Sequence, residues 1–474
     1  MQLRYFRFAI IVGLLIVLSS DRCLNSSRLF HLAQTVSQPL PLLYMSARQH
    51  NEKALTALIQ QAISEQQHHW IKHAAILADT QQHYQLAMST VDNSLKKILL
   101  RAAGKKGHAD SQYQFAMQYR DGGIKLRELE KAAEQGQTQA ILDTYYLAVR
   151  LHKVDLARRW EPQAALLDHS IAIAYANRLW KEQGAQSAIS FLQNQQLSHM
   201  PQVQNILQII NLATVQTSAY PANQFSDNSC VVKLQLIAST IPAIKKALSI
   251  ITKYTSDARF QHLPVCVFAP VWLEYSQLSC SNDPEIRLNC QLAPLSALAK
   301  QINFSHAIVI GQQGIANVNN GLMYLDENDD YTVFLHEFAH FAGFIDEYPI
   351  KHSMAEQFCT PGWAPNLVFQ QQIPKLNDTH FGKYSQYHKT LKITEAQTCK
   401  NMKVRAYKPV DATTFMEHHD IGNIPDIYIQ IWQERLSKPI VLTPIFVNFA
   451  QWHDQLGESE KAQYWWQKYE KFRL

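Results

Sequence analysis

Residues Tyr331 to Tyr348, YTVFLHEFAHFAGFIDEY, are the stretch on which the reading of this chain turns. His336 and His340 stand four apart, which on a helix puts them on one face, one turn from each other; at that separation two imidazoles reach a single metal ion. Glu337 lies between them, placed to lean over a water on such an ion and accept its proton. Gly343 ends the helix where a residue without Cβ takes the left-handed turn, and the chain then brings Asp346 toward the same point as a third ligand. The acidic run Asp326 to Asp330 precedes the helix and suits its positive end. The bland alternative is a buried helix whose histidines are hydrogen-bonded core residues among Phe338, Phe341 and Phe344.

The whole pattern, HExxHxxGxxD, resembles the metzincin zinc metallopeptidases, and Asp346-Glu347-Tyr348 is similar to the ending of the motif in the IgA-peptidase-like bacterial family. In that family one more residue separates the second histidine from its aspartate. The third ligand is therefore open between Asp346 and Glu347, with metzincin spacing favouring Asp346; a more distant glutamate, Glu356 or Glu395, is a further alternative. The resemblance implies a Zn2+ cofactor and a methionine turn beneath it, where a polarisable, unbranched side chain floors the imidazoles. Met416, in TTFMEHHD (413–420), matches best, with Met354 and Met402 as competitors. It also implies a residue that stabilises the tetrahedral intermediate, for which His418 and Tyr348 are candidates. An edge strand over Asn317–Tyr324 would bind a peptide by antiparallel strand addition.

Outward from the motif the pattern is α/β. Val231 to Ala238 alternates as a strand, Ser239, Thr240 and Pro242 signal a helix start, and Ile241, Ile244, Leu248 and Ile251 stripe that helix. Val265–Val271 and Phe304–Ile310 read as strands, Leu292–Ile302 and Pro425–Leu436 as helices. A zincin-like domain over 229–436 follows, with Trp363, Tyr384 and Tyr387 expected to wall its cleft. The tail, 437–474, reads as a short helical pair: Phe449, Trp452 and Leu456 before Gly457, then Ala462, Trp465, Trp466, Tyr469 and Phe472 on one face.

The first half has a different texture. YQLAM (84–88) returns as YQFAM (113–117), then more loosely around Ala148 and Ala176, so the marker alanines 87, 116, 148 and 176 are 29, 32 and 28 residues apart. Ala102-Ala103 with Gly107, and Ala132-Ala133 with Gly136, add small residues for helix contact and a glycine for the turn. This resembles tetratricopeptide repeats of the short Sel type, and implies an all-α solenoid over 30–215 that scaffolds or receives a protein partner. His68-His69-Trp70 is read as a packed or solvated cluster. The polar, aperiodic 216–228 is the expected linker.

Arg4 and Arg7 followed by the apolar run Phe8–Leu18 read as an export signal over 1–22, or an N-terminal anchor. Export to a periplasmic or secreted location makes disulfides the expected state of the six cysteines beyond Cys23. All six lie after residue 229, and nearest-neighbour pairs such as Cys280 with Cys290 and Cys359 with Cys399 are favoured. The net charge of +5 comes from 44 basic against 39 acidic residues spread along the chain, so no nucleic-acid partner is expected. The expected function is zinc-dependent endopeptidase action on a protein or peptide, with Glu337 as general base. The competing reading is a repeat-based adaptor with a structural or vestigial zinc site.

Overall fold

The computed structural model describes residues 25–218, 230–359, 364–371 and 392–474. The expected signal 1–22, most of the linker 216–228, and Trp363, Tyr384 and Tyr387 lie outside them. The chain divides into two compact units, Met1–Ala172 and Ile173–Leu474.

The first unit is helical. From Glu52–Ser64 through Asn93–Lys105, Ala109–Met117, Gly122–Glu134 and Thr138–Arg150 to Val154–Ala165, each helix packs on its neighbours in sequence. Asn51, Asp79, Asp92, Asp121 and Gln137 cap helix starts through their side chains, so the boundaries are written locally. The helix ends share one geometry. Gln66, Gly107, Gly136 and His152 all have positive φ, and the amides of Gln67, His108, Gln137 and Lys153 reach back to Ala62, Ala103, Ala132 and Ala148. Two of the four turns lack glycine and left no signal in the sequence. Ala87, Ala116, Ala132 and Ala148 are fully buried where helices touch.

The second unit is built on a five-stranded sheet of β1 (Val232–Ala238), β2 (Val265–Trp272), β4 (His306–Gly311), β6 (Asn317–Asn319) and β7 (Leu322–Asp326), in the order β2-β1-β4-β7-β6. All neighbours are parallel except β6, which runs antiparallel to β7 at the edge. β1 and β4 are buried almost throughout, the signature of parallel strands covered on both faces. The helix Ile241–Ser256, capped by Thr240, packs on β1, β2 and β4. The remaining strands are β3 (Asn282–Arg287), parallel to β5 (Gln313–Ile315), and β8 (Val368–Gln371), β9 (Thr394–Ala396) and β10 (Val404–Lys408), in the order β8-β10-β9.

Four expectations change. First, Asn317–Tyr324 is not one edge strand. Asn319 pairs with Leu322, and Asn320, at φ 54, turns the chain back with Gly321, so only β6 is the edge and β7 is internal. Second, the tail packs on the α/β domain, as its apolar stripe suggests, but as part of that unit's core and not as an added pair. Helices Phe446–Gln455 and Ser459–Arg473 complete the core on one sheet face, where Phe446, Phe449 and Trp465 meet Ala307, Val309, Leu322 and the helix Leu292–Gln301. Gly321 permits this closeness, since a Cβ there would stand 2.4 Å from the Ile445 amide nitrogen. Third, the division falls at Ala172/Ile173, ahead of the expected linker, whose first residues instead belong to the helix Pro201–Ser218. Helix Pro201–Ser218 packs on β2, Trp180 meets Trp272 at 3.9 Å, and the Asn177 side chain accepts from the Ile241 amide at 3.1 Å. Fourth, β3, β5 and the β8-β10-β9 sheet were not anticipated, because their strands are short and mostly lack alternation.

The six cysteines lie in three pairs at disulfide distance: Cys230 with Cys266, Cys280 with Cys290, and Cys359 with Cys399. They tie β1 to β2, close the loop carrying β3, and join the helix His352–Phe358 to the segment after β9.

Candidate metal centre

The helix Tyr331–Phe341 follows β7 and is held by aromatic packing. Phe334 and Phe338 stack at 5.5 Å, Tyr254 meets both edge-on, and Trp432 of the helix Asp426–Leu436 lies 5.0 Å from Phe338. With that face buried, His336 and His340 point away together, their ring centroids 5.2 Å apart. Gly343, at φ +82, reverses the chain. A Cβ there would meet the Arg435 guanidinium at 3.1 Å, whose Nε caps the helix by donating to the Ala342 carbonyl.

The reversal delivers Asp346. Its Oδ1 stands 3.0 Å from Nε2 of His336 and 3.4 Å from Nε2 of His340, and one ligand atom from each of the three lies within 4.8 Å of the others. Three donors around a tetrahedral zinc are about 3.4 Å apart, given bonds of about 2.1 Å. Each ring is oriented from behind: Nδ1 of His336 lies 2.8 Å from the Phe415 carbonyl, and Nδ1 of His340 lies 2.8 Å from the Phe344 carbonyl. A carbonyl only accepts, so each Nδ1 carries the proton and each neutral Nε2 presents a lone pair. Asp346 Oδ1 is itself buried and no donor meets it in hydrogen-bond geometry. Three lone-pair donors facing one another repel unless a positive charge lies among them, so the residues fit a divalent cation.

A proton is the lesser substitute for that charge. Burial alone would lower the His340 pKa, but the Asp346 carboxylate outweighs it, and the imidazole is pushed up to about 9. Burial works against ionised Asp346 as well, yet the two imidazoles hold its carboxyl well below the usual range. At pH 7 His340 therefore carries a proton that a metal must displace. Zinc uptake at pH 7 is expected to release close to one proton per site, declining toward none above a pH of about 9. Calorimetric titration in buffers of different ionisation enthalpy measures this directly, and release that does not change between pH 7 and pH 10 would contradict it. Without metal, the stability contributed by protonated His340 is complete below its unfolded pKa of 6.5 and is lost as pH rises through about 9.

Glu337 is buried on the same helix. Burial raises its pKa, and the charges of His340 and His336 partly offset this. A carboxyl shifted in this direction is a better proton acceptor than an ordinary one and can both take and return a proton. Tyr348 is brought to the centre: its ring stacks 6.4 Å from His336, and desolvation of its hydroxyl, with the nearby Asp346 carboxylate, raises its pKa and keeps it protonated. His418 is not brought in. It is exposed in the turn after Met416, and none of the described hydrogen bonds joins its ring to the cluster.

Glu347 is turned away from Asp346 and fully buried. Its Oε1 accepts from Asn366 at 3.0 Å and from the Tyr428 hydroxyl at 2.6 Å, its Oε2 accepts from Thr414 at 2.6 Å, and the Lys408 ammonium is 3.9 Å away. Burial pushes its pKa up, against the pull of these donors. Of the more distant alternatives, Glu356 is exposed beside His352 and Glu395 pairs with Arg405, both outside the cluster. Met416 is fully buried, and its carbonyl accepts from the Glu347 amide at 3.0 Å while the preceding Phe415 carbonyl orients His336. Thr398 donates to the Asp346 carbonyl at 2.7 Å. No family model matches the chain, and no curated protein is significantly similar to it.

Reasoning from sequence missed the supporting residues Asn366, Thr398, Lys408, Thr414 and Tyr428. They are single polar residues spread through 366–428 with no shared spacing, so only the fold reveals that they converge.

Proposed function

We propose that the chain is an exported zinc endopeptidase with a metzincin-like catalytic domain. The observation that carries this is the convergence of His336 Nε2, His340 Nε2 and Asp346 Oδ1, with both Nδ1 atoms already committed to backbone carbonyls, beside a buried carboxyl at Glu337. His336, His340 and Asp346 would hold the ion; when bound, zinc supplies a Lewis acid that lowers the pKa of a water and polarises a peptide carbonyl. Glu337 takes the proton of the attacking water and passes it to the leaving amine. Tyr348, protonated and stacked beside His336, is placed to donate to a developing oxyanion. The edge strand β6, just before β7 and the ligand helix, offers backbone groups to an extended peptide. A purely structural zinc would need no acid or base, so buried Glu337 favours the enzyme over the adaptor reading.

The helical unit supports a role in receiving a protein. Met88, Met117 and Val149 each follow a marker alanine, and each is more than 40% exposed. The three cysteine pairs favour an oxidising, extracytoplasmic compartment. Among the described residues no helix is long and apolar enough to cross a membrane.

The test is metal-dependent proteolysis by the full chain. About one zinc per chain is expected at the centre, with casein cleavage lost on chelation and restored by zinc. Metal-loaded protein that cuts no unfolded protein and no peptide library would sink the enzyme reading in favour of the adaptor.

A further inference from the structure

Residues 280–290 form a loop closed by Cys280 and Cys290 that carries β3 alongside β5. Leu288, 1% exposed, fastens it. Its side chain lies over Gly311 and Gly314, where an added Cβ would meet it at 2.6 and 3.0 Å. Its amide donates to the Ile315 carbonyl at 3.0 Å, and its carbonyl accepts at 2.9 Å from the side chain of Asn317, the first residue of edge strand β6. Arg287, next to this anchor, is in register with Ile315. Arg287, Ile286 and Ile315 are all exposed.

Arg287 has no ion pair or hydrogen bond among the described contacts. The edge strand to which its loop is tied packs in turn on the helix that carries Glu337. Asp283 and Glu285 precede it in β3, but Asp283 is engaged by the Glu285 amide and neither pairs with the guanidinium among the described contacts. A forked cation on a stapled loop, beside the edge strand proposed to bind the peptide, is prepared for an anion that the protein does not itself provide.

We propose that Arg287 is a specificity-determining residue that holds a carboxylate of the peptide substrate close to the scissile bond, with Ile286 and Ile315 packing an apolar neighbour. This rests on the peptidase reading above. The carboxylate is either an acidic side chain or a free C-terminus, and both present the planar, two-oxygen acceptor that a guanidinium matches.

The experiment starts from one casein-derived peptide that the zinc-loaded full chain cuts. It is remade with Glu or Gln flanking the cut, each with a free or an amidated C-terminus. The wild type is expected to favour one carboxylate arm by about tenfold in kcat/KM, mostly through KM. The arm that shows the preference identifies the source. Arg287→Gln should bring that ratio close to one, and Arg287→Lys should restore part of it. Any effect of the substitution on Glu337 itself acts on both peptides and cancels in the ratio. Peptides cut with no charge preference, or a preference that survives Arg287→Gln, would overturn this inference and leave the peptidase standing; failure to cut any peptide would overturn both.

Discussion

Glu337→Gln is expected to lower peptide hydrolysis by about a thousandfold, within the range of roughly 10²- to 10⁴-fold for removing a positioned general base, while zinc stays bound. The carboxamide keeps the size of the side chain but cannot take a proton. Glu337 belongs to the helix turn that carries the ligands without being one of them, so the three converging donors are untouched. Nor should the fold suffer. Burial already opposes the charged form of Glu337, and a neutral isostere removes that cost, so the melting temperature should hold or rise slightly. Zinc content, melting temperature and casein turnover measured on one preparation decide the matter. Activity within tenfold of wild type would remove Glu337 from the chemistry, and loss of zinc would show that it acts as a ligand.

What could be read directly from the sequence is what local spacing determines. The four-residue step between His336 and His340, the left-handed turn at Gly343 and the glycine turns at Gly107 and Gly136 depend on neighbours along the chain, and each stands where the residues placed it. The motif also narrowed the third ligand to Asp346 or Glu347, and metzincin spacing favoured Asp346 without giving a physical reason for the choice. The choice is made by Asn366, Lys408, Thr414 and Tyr428, which satisfy Glu347 and leave Asp346 facing the imidazoles. The hairpin at Asn320-Gly321 is a different case, because a two-residue Asn-Gly connection is a strong turn signal; the apolar run Leu322–Leu325 obscured it by extending the strand pattern across the turn. The amphipathic stripe of the tail was equally plain, but a stripe says that a face is buried and not against what. Its partner is a sheet face more than a hundred residues upstream.

The two neighbours Asp346 and Glu347 should therefore respond oppositely to the same substitution. Asp346→Ala removes a ligand, so zinc binding should weaken by several orders of magnitude. The metal-free protein should hardly notice above a pH of about 9, where His340, whose pKa Asp346 raises against the effect of burial, is already neutral in the wild type. Without that carboxylate the imidazole releases its proton and becomes neutral. Glu347→Ala takes the acceptor from three buried donors and one anion from the neighbourhood of Lys408, which is 3% exposed and keeps Glu417 and the Ala412 carbonyl as partners. Breaking a buried network of this kind costs about 3–5 kcal/mol. In a unit of this size that is a fall of roughly 10 °C in Tm. Zinc binding should weaken as well, but secondarily, because Glu347 anchors the turn that holds Phe415 and Met416 beneath His336. Melting curves in chelator, paired with zinc titrations, separate the two effects. The reverse pattern, zinc retained in Asp346→Ala and lost in a Glu347→Ala protein of unchanged metal-free Tm, would make Glu347 the ligand and leave the orphaned oxygen of Asp346 without an explanation.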